Sequence, residues 1–381
     1  MMSASASRLP PALAQRVPLQ DLAVAPASLR MYSTARNKFL THTRLSHSHL
    51  LHLPATRVDR LLCDYFQASF DAGGSYSYTS HALHGVIFFN PALKLCLPRA
   101  RQALKGWDRV RRRTSHPPLT WELCVLLACS FARSGLHAAA IVMLVGFDCY
   151  MRINELLSLR RSDVVLPRDP RMGRAHVGMM VVLRATKTGP NQSVSLQSED
   201  VAQLLHLWMQ LLPDTAPDAP VFPGCTAQAM NSYIHSACAS LGLSATPYVC
   251  HSMRHGGATA DYLRTKSIEH VVFRGRWASL KSAKTYVQQA RALLAARAMP
   301  QALADAGTVL ADNIVPVMSE LLLASPPTVP RLLRRPLGVR RFSRGGSSVV
   351  SPASSSVPPQ CHFVRGGMSP TASAAPPAAV L

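Results

Sequence analysis

Six residues in the middle of the chain have the chemistry that breaking a phosphodiester bond requires. Such a reaction needs a nucleophile, a proton for the leaving oxygen, and fixed positive charge on the non-bridging oxygens. A tyrosine phenol can attack phosphorus once its proton is removed, and the phosphotyrosyl bond stores the energy of the broken linkage, so no ATP is needed. The six candidate residues are Arg152, Lys187, His251, Arg254, Trp277 and Tyr286.

Each residue type suits one task in that reaction. Arg152 and Arg254 suit the phosphate, because a planar guanidinium offers paired donors, and Arg152 begins a predicted helix, where free amides favour an anion. His251 precedes Arg254 by three residues and shares its face if the segment is helical. Lys187 lies at a predicted hairpin tip, from which it can reach over the site and protonate the leaving oxygen. Trp277 can donate its indole hydrogen to the phosphate.

Other enzyme classes find less support in the sequence. Lys187-Thr188-Gly189 matches the Lys-Thr-Gly of penicillin-interacting serine enzymes, but no lysine has a serine three positions before it, as their Ser-x-x-Lys motif requires. The sequence has neither a Gly-x-x-x-x-Gly-Lys-Ser/Thr loop nor a carboxylate cluster for two metal ions. The nine cysteines have no zinc spacing, and we expect reduced thiols. We predict no metal and no cofactor.

The elements that must position these residues are mostly helical. Apolar residues recur at helical spacing from residue 25 to 108, which predicts a small helical bundle. Residues 176–196 change to a strand period around a Lys-Thr-Gly-Pro-Asn turn and predict a β-hairpin. The predicted fold class is therefore mainly α with a small sheet. Further helices are predicted over residues 120–133, 137–149, 152–159, 199–212, 226–241, 251–264, 280–298 and 301–323.

The composition divides the chain into domains and tails. A basic linker with four arginines and two prolines (109–118) separates a helical domain (25–108) from a catalytic domain (119–299). Residues 1–24 are predicted to form a flexible basic leader, and a C-terminal helix (300–324) follows the catalytic domain. Residues 325–381 contain no acidic residue and are rich in Pro, Ser and Arg, which predicts a disordered tail.

The charge indicates the kind of partner. A formal net charge of +22 favours a polyanion, with nucleic acid first and an anionic membrane surface second. The sequence has no run of 18 apolar residues without a charge or a proline, so we predict a nucleic acid as the partner and no membrane association. The first forty residues contain five basic residues and one acidic residue, which is typical of an organelle transit peptide or a basic arm. We expect the nucleus in a eukaryote and the cytoplasm in a bacterium, with organelle import as the alternative. The arginines predicted to contact DNA are Arg111, Arg112, Arg113, Arg274 and Arg276.

The order and spacing of the six candidates resemble the tyrosine recombinase (phage integrase) family, whose shared set is Arg, Lys, His-x-x-Arg, His or Trp, and Tyr. Glu155 matches the family's acidic residue one helical turn after the first Arg, and His255 belongs to an Arg-His-x-x-Ala-Thr motif. Trp277 makes the chain similar to Cre-like enzymes and to recombinases of eukaryotic DIRS-type and Crypton mobile elements. The resemblance covers residues 26–298.

The resemblance implies a helical core-binding domain and a catalytic domain that together enclose double-stranded DNA, which is the partner we predict. The implied activity is site-specific recombination without metal or ATP. Tyr286 would form a 3′-phosphotyrosyl intermediate, Lys187 and His251 would handle protons, and Arg152 and Arg254 would hold the phosphate. Recombinases of this family act as homotetramers on two DNA sites, which is the assembly we expect.

Two departures from the family pattern leave other functions open. Tyr150-Met151 stands where small residues are usual before the first Arg. Gly256-Gly257 replaces a Ser/Thr-aromatic pair inside a predicted helix, at a cost of about 1 kcal/mol for each glycine. The alternatives are a catalytically decayed DNA-binding protein derived from a mobile element, a type IB topoisomerase-like enzyme without site preference, and a membrane-surface binder that uses the basic leader and tail.

Overall fold

The computed structural model describes residues 18–111, 115–167, 178–186, 189–243 and 246–324. Lys187, Arg112 and Arg113 lie outside the described residues, as do most of the predicted leader (1–24) and all of the predicted tail (325–381). Within the described ranges the chain forms sixteen α-helices and one three-stranded antiparallel sheet. The predicted fold class is therefore confirmed.

The first five helices form a bundle. They are α1 (Pro26–Thr43), α2 (His47–His52), α3 (Ala55–Asp71), α4 (Tyr76–Phe89) and α5 (Pro98–Val110). Prolines begin α1 and α5 without losing a hydrogen bond, because the first amides of a helix have no acceptor within it. The buried carboxylate of Asp59 accepts hydrogen bonds from the amides of Arg99 and Ala100 at 3.0 and 2.8 Å. This carboxylate therefore caps α5 and ties it to α3.

The bundle has an apolar core of its own. Its buried side chains, among them Phe39, Leu62 and Trp107, form one cluster. A second cluster begins at Leu119, after the connection between α5 and the next helix. Separate cores on either side of this connection support the predicted division into domains, which remains our proposal.

The second group of helices encloses the larger core. They are α6 (Trp121–Arg133), α7 (His137–Asp148), α8 (Ile153–Leu157), α9 (Glu199–Leu211), α10 (Ala227–Ser240), α11 (Cys250–Thr265), α12 (Ile268–Gly275), α13 (Leu280–Tyr286) and α14 (Gln289–Ala298). Ten of the twelve residues of α7 are buried, so α7 is the central helix. Helices α6, α9 and α11 pack directly against it. The side chains of Thr120, Ser198 and Thr226 cap α6, α9 and α10.

The sheet lies between α8 and α9 in the chain. Its strands are β1 (Val164–Val165), β2 (Met180–Thr186) and β3 (Gly189–Ser195), in the order β1-β2-β3. Val181 pairs with Val164 on one side and with Val194 on the other, and all three side chains are buried. Strands β2 and β3 confirm the hairpin predicted over residues 176–196, whose turn residue Lys187 is not described.

The predicted helix over residues 280–298 is two helices in the structure, and α12 is not among the predicted elements. Helix α13 ends at Tyr286, and α14 begins three residues later. Val287 is extended, with φ −80° and ψ 102°. The amide of Gln288 donates to the hydroxyl oxygen of Thr259 at 3.0 Å, not to a carbonyl one turn earlier. A side chain of α11 therefore ends the helix at the tyrosine.

The predicted C-terminal helix (300–324) is also broken. It forms α15 (Gln301–Asp312) and α16 (Ile314–Ala324), which meet at a bend of 84°. Pro316 lacks the amide hydrogen that a continuous helix would need at this point. The buried face of α16 joins the larger core. In the part of the chain that the structure describes, no single helix is long and apolar enough to cross a membrane; this bent pair passes that test together, by length and composition alone.

Gly256 and Gly257 lie where α11 crosses α7. A Cβ at Gly256 would lie 2.3 Å from the carbonyl oxygen of Leu119, and a Cβ at Gly257 would lie 2.0 Å from that of Phe147. Neither position has space for a side chain, so the two glycines let the backbones approach closely. The low helix propensity that the sequence shows at this pair is therefore offset by packing.

Candidate active site

Four of the six predicted residues lie together in the structure: Tyr286, the last residue of α13, and three residues that surround its ring. The centroid of this ring lies 4.9 Å from that of Trp277 and 5.4 Å from that of His251. The guanidinium carbon of Arg254 lies 5.0 Å from the same centroid. His251 and Arg254 both come from α11, and their three-residue spacing brings both to the tyrosine.

Arg254 is a buried cation without an ion-pair partner in the part of the chain that the structure describes. Its side chain is 1% exposed, and its terminal nitrogens donate to two backbone carbonyls, Tyr150 at 2.5 Å and Gly275 at 3.1 Å. Among the described residues, no carboxylate lies within ion-pairing distance of it, and Nε has no partner. Burial and then the charge of Arg152 lower the pKa of Arg254 to about 10. The guanidinium is thus charged at neutral pH and suited to bind an anion.

Trp277 is held between two aromatic rings. It stacks on Tyr150, with centroids 5.7 Å apart and planes at 11°, and it lies 4.9 Å from Tyr286. Tyr150 is buried in turn, and its hydroxyl donates to Asp261 at 3.1 Å. The guanidinium carbon of Arg254 lies 4.5 Å from the Trp277 ring. The indole Nε1 is buried without a partner in the described part of the protein, so it can donate to a ligand.

Two histidines of α11 pack on Tyr286. His255 is buried and stacks on it, with centroids 4.9 Å apart and planes at 26°, whereas His251 is exposed. Burial and then the neighbouring His251 lower the pKa of His255 to about 4. Although His251 is exposed as a residue, partial desolvation of its ring by the surrounding site and then the charge of Arg254 lower its pKa below the ordinary value. Both imidazoles are therefore neutral near pH 7, and a neutral His251 can accept a proton.

Arg152 is joined to the site through Glu155. It precedes α8, and its Nη1 donates to Glu155 Oε1 at 2.6 Å. Arg276 donates to the other carboxylate oxygen at 2.9 Å. Burial raises the pKa of Glu155, but Arg276 and Arg152 together lower it below its ordinary value, so the carboxylate is charged. Because 28% of the Arg152 side chain is exposed, Arg152 can also reach a ligand.

Arg274 and Arg276, which the sequence predicts as DNA contacts, lie inside the protein. Each side chain is only 6% exposed. Arg274 is 3.4 Å from both Asp148 and Asp261, and Arg276 holds Glu155. Their charges are neutralised by the protein's own carboxylates, so the structure favours a role in holding the site together over a direct contact with DNA.

The remaining predicted residues are less informative. Arg111 is exposed after α5, and its guanidinium carbon lies 4.1 Å from the ring centroid of Phe70. Lys187, Arg112 and Arg113 lie outside the described residues, and their roles stay predictions. Within the described ranges, no group of three or more His, Cys, Asp or Glu side chains is arranged to hold a metal ion.

Tyr150 and Asp261 belong to the site, although the sequence does not reveal their roles. The Tyr150 carbonyl accepts from Arg254, and Asp261 fixes the Tyr150 hydroxyl. Tyr150 also has a positive φ of 32°, which is uncommon for a bulky residue. The signal for Asp261 is its position seven residues after Arg254, two helical turns along α11.

The chain is similar to known proteins in sequence and in fold. The sequence model of the phage integrase family matches residues 126–292. No match was found among curated protein sequences. Among solved structures, the chain is similar to a lambda integrase dimer bound to a COC′ core site, with 15% identity and a TM-score of 0.50 over 73% of this chain and 92% of that chain.

Two further solved structures are similar. One is the XerH site-specific recombinase bound to palindromic difH substrate, at 16% identity and a TM-score of 0.48 over 68% of this chain and 75% of that chain. The other is the Tn1549 transposon integrase in complex with circular intermediate DNA, at 15% identity and a TM-score of 0.45 over 70% and 98%.

The matched segment, which contains the residues around Tyr286, is a phage integrase domain. Enzymes of this class cleave and rejoin DNA. Over this segment the chain matches the tyrosine recombinase (phage integrase) family, as the order of its motifs predicts.

Proposed function

We propose that the protein is a site-specific DNA recombinase in which Tyr286 is the nucleophile. The observation that carries the proposal is the position of the Tyr286 ring, 5.0 Å from the guanidinium carbon of Arg254 and 4.9 Å from the Trp277 ring. A buried arginine without a carboxylate is suited to a phosphate, and a phenol beside it is suited to attack that phosphate.

In the proposed reaction, the phenol oxygen of Tyr286 bonds to phosphorus while the bond from phosphorus to the 5′ oxygen breaks. The phenol proton passes to neutral His251, and the 5′ oxygen receives a proton from Lys187. The 5′ hydroxyl of a partner strand then attacks the 3′-phosphotyrosyl bond and releases the tyrosine. Because each step exchanges one phosphoester for another, the proposal includes neither a metal nor ATP.

Unpartnered donors support a phosphate at this place. Arg254 Nε and Trp277 Nε1 are buried and have no hydrogen-bond partner among the described residues. A buried donor without a partner costs roughly 1–3 kcal/mol. The non-bridging oxygens of a phosphate would supply acceptors, and the donors would stabilise the charge that develops on them. Arg152, whose side chain is partly exposed, would complete the set.

We propose duplex DNA as the substrate and a homotetramer on two DNA sites as the active assembly. The net charge of +22 supports a polyanionic partner. The lambda integrase structure with a similar fold contains a DNA core site, which supports the same kind of ligand here.

A covalent capture tests this function. The full chain is incubated with fragmented genomic and random-sequence duplex DNA, denatured in SDS, and the attached DNA is sequenced. We expect adducts at a recurring sequence, and Tyr286→Phe should abolish them without loss of duplex affinity. Tyr233→Phe is the matched control, because Tyr233 packs on Phe131 and is not among the residues around Tyr286; it should leave adduct formation unchanged.

The other outcomes separate the alternatives. Tyr286-dependent adducts without sequence preference, together with relaxation of supercoils, would indicate a topoisomerase-like enzyme. Salt-sensitive binding without any adduct would indicate a DNA-binding derivative and contradict the proposed activity. Adducts that persist in Tyr286→Phe would refute the nucleophile assignment.

A further inference from the structure

Three polar residues that the proposed reaction does not use are hydrogen-bonded to one another next to Tyr286. Ser115 lies in the connection between α5 and α6, His255 in α11, and Gln288 in the break between α13 and α14. Gln288 Nε2 is 2.8 Å from Ser115 Oγ and 3.0 Å from His255 Nδ1. Ser115 Oγ is 3.2 Å from His255 Nε2. The three side chains therefore form a closed network that joins three separate parts of the chain.

A fourth side chain strengthens this network. Arg291 of α14 donates from Nη2 to the backbone carbonyl of Ser115 at 2.7 Å and from Nη1 to Gln288 Oε1 at 3.0 Å. The segment that follows Tyr286 is thus bound to Ser115 through both the side chain and the backbone of the serine.

The backbone on either side of Val287 is fixed as well. The hydroxyl of Thr259 donates to the carbonyl of Tyr286 at 3.3 Å and accepts from the amide of Gln288 at 3.0 Å. One hydroxyl can do both, since it has one hydrogen and two lone pairs. A change in the position of Gln288 would therefore also move the backbone of Tyr286.

His255 closes the network in one of its two neutral tautomers. With its hydrogen on Nδ1, it donates to the Tyr286 carbonyl at 3.4 Å and accepts from Ser115, but its contact with Gln288 Nε2 then joins two donors and is not a hydrogen bond. With its hydrogen on Nε2, it donates to Ser115 and accepts from Gln288. Burial, which lowers the pKa of His255 to about 4, keeps the ring neutral near pH 7.

We propose that Ser115, His255, Gln288 and Arg291 form a latch through which the connection between α5 and α6 holds Tyr286 beside Arg254. This inference rests on the proposed function, because it takes Tyr286 as the nucleophile. Ser115 and Gln288 are then positioning residues, which act through the segment that carries Tyr286. Helix α5 packs in one apolar core and α6 in the other, and Ser115 lies between the two helices. If the connection rearranges on DNA, Ser115 would move and would displace Tyr286 through the hydrogen bonds of the latch.

Hydrogen exchange of the full chain without DNA tests the latch directly. Each variant removes at least two hydrogen bonds of the network, and each bond contributes about 1 kcal/mol net, so Ser115→Ala and Gln288→Ala should each speed exchange of the amides of 287–292 at least about fivefold. The double variant should add little to either single variant, since both act on one network. Ser115→Thr retains the hydroxyl and should restore slow exchange. Gln289→Ala, one position further on, is the matched control and should leave exchange unchanged.

Covalent adduct formation then tests the consequence. At saturating DNA, the rate of adduct formation in Ser115→Ala and Gln288→Ala should fall about fivefold, while the affinity for duplex DNA stays at the wild-type value. Unchanged exchange in both variants, or an equal change in Gln289→Ala, would overturn the latch. If the wild-type chain forms no Tyr286-dependent adduct, the proposed function fails, whereas the exchange experiment still decides whether the latch exists.

Discussion

Arg254 and Arg274 each pack on one ring of the same stacked pair, yet their polar partners differ. The guanidinium carbon of Arg254 lies 4.5 Å from the Trp277 ring, and that of Arg274 lies 5.0 Å from the Tyr150 ring. Both side chains are buried. Arg274 faces two carboxylates at 3.4 Å, whereas Arg254 faces two backbone carbonyls.

The two environments move the pKa values in opposite directions. Burial lowers the pKa of Arg254 to about 10. Burial also acts to lower the pKa of Arg274, but Asp148 and further anionic groups raise it above its ordinary value. Removing one partner of a buried ion pair is strongly destabilising, because it leaves the other charge buried and unpaired. A buried cation without an ion-pair partner retains its attraction for an anion. The comparison therefore indicates that Arg274 stabilises the fold, whereas Arg254 is available to bind a phosphate in the proposed reaction.

The largest expected effect is on stability, in Arg274→Met. This change leaves Asp148 and Asp261 buried without their shared cation, so the free energy of unfolding should fall by about 3–5 kcal/mol. Urea unfolding measures it. Arg264 also pairs with Asp261, but 58% of its side chain is exposed, so Arg264→Met should cost less than about 1 kcal/mol. Equal losses of unfolding free energy in the two variants would contradict the special role of Arg274 in the stability of the fold.

The next effect is on catalysis, in Arg254→Met. Removing a buried donor to the transition state should lower the rate of adduct formation about 10²- to 10³-fold. Two buried carbonyls lose their donor, but no carboxylate loses its cation and a buried charge is removed, so we expect the free energy of unfolding to fall by less than in Arg274→Met. Adduct rates at saturating DNA and urea unfolding of the same preparation measure the two quantities. A stability loss as large as that of Arg274→Met would show that Arg254 also belongs to the scaffold.

The smallest expected effect is the pH dependence of the stability that His255 contributes. Besides burial, the charged or titratable groups that lower the pKa of His255 most among the described residues are His251, His116 and Arg291. Its pKa falls from 6.5 to about 4 on folding, so the unfolded chain binds the proton more tightly. The stabilisation is fully present above pH 6.5 and is lost as the pH falls towards 4, by at most about 1.4 kcal/mol per pH unit.

Urea unfolding between pH 7 and pH 4, with His255→Gln as the reference, isolates this contribution. The wild-type curve should fall more steeply than that of the variant. Parallel curves would mean that the His255 proton affinity does not change on folding.

Much of the site could be predicted because it depends on local spacing. His251 and Arg254 are three residues apart on one helix, and Tyr286 was identifiable as the last member of an ordered set. Helix boundaries also follow local signals: α6, predicted over residues 120–133, spans Trp121–Arg133, after the cap of Thr120.

The features that the sequence could not reveal depend on partners far away in the chain. Arg276 looks like a surface charge in sequence, but it binds Glu155, 121 residues earlier. The helix predicted through Tyr286 ends there because Thr259 of another helix accepts the amide of Gln288. In the sequence, Tyr150 stands out only as a departure from the family pattern before Arg152. Its stacking on Trp277 depends on the folded structure.

The glycine pair of α11 has a consequence for how the sequence can vary. Every single-nucleotide change in a glycine codon that alters the residue introduces a Cβ, and at Gly256 and Gly257 that atom would meet a backbone oxygen at 2.3 and 2.0 Å. Arg254 lies two residues before the pair, so the same contact that excludes substitutions also fixes the arginine relative to α7. Mutational tolerance along α11 is therefore lowest where the helix propensity is poorest, and the residues that look most expendable in the sequence are the ones that hold Arg254 in place.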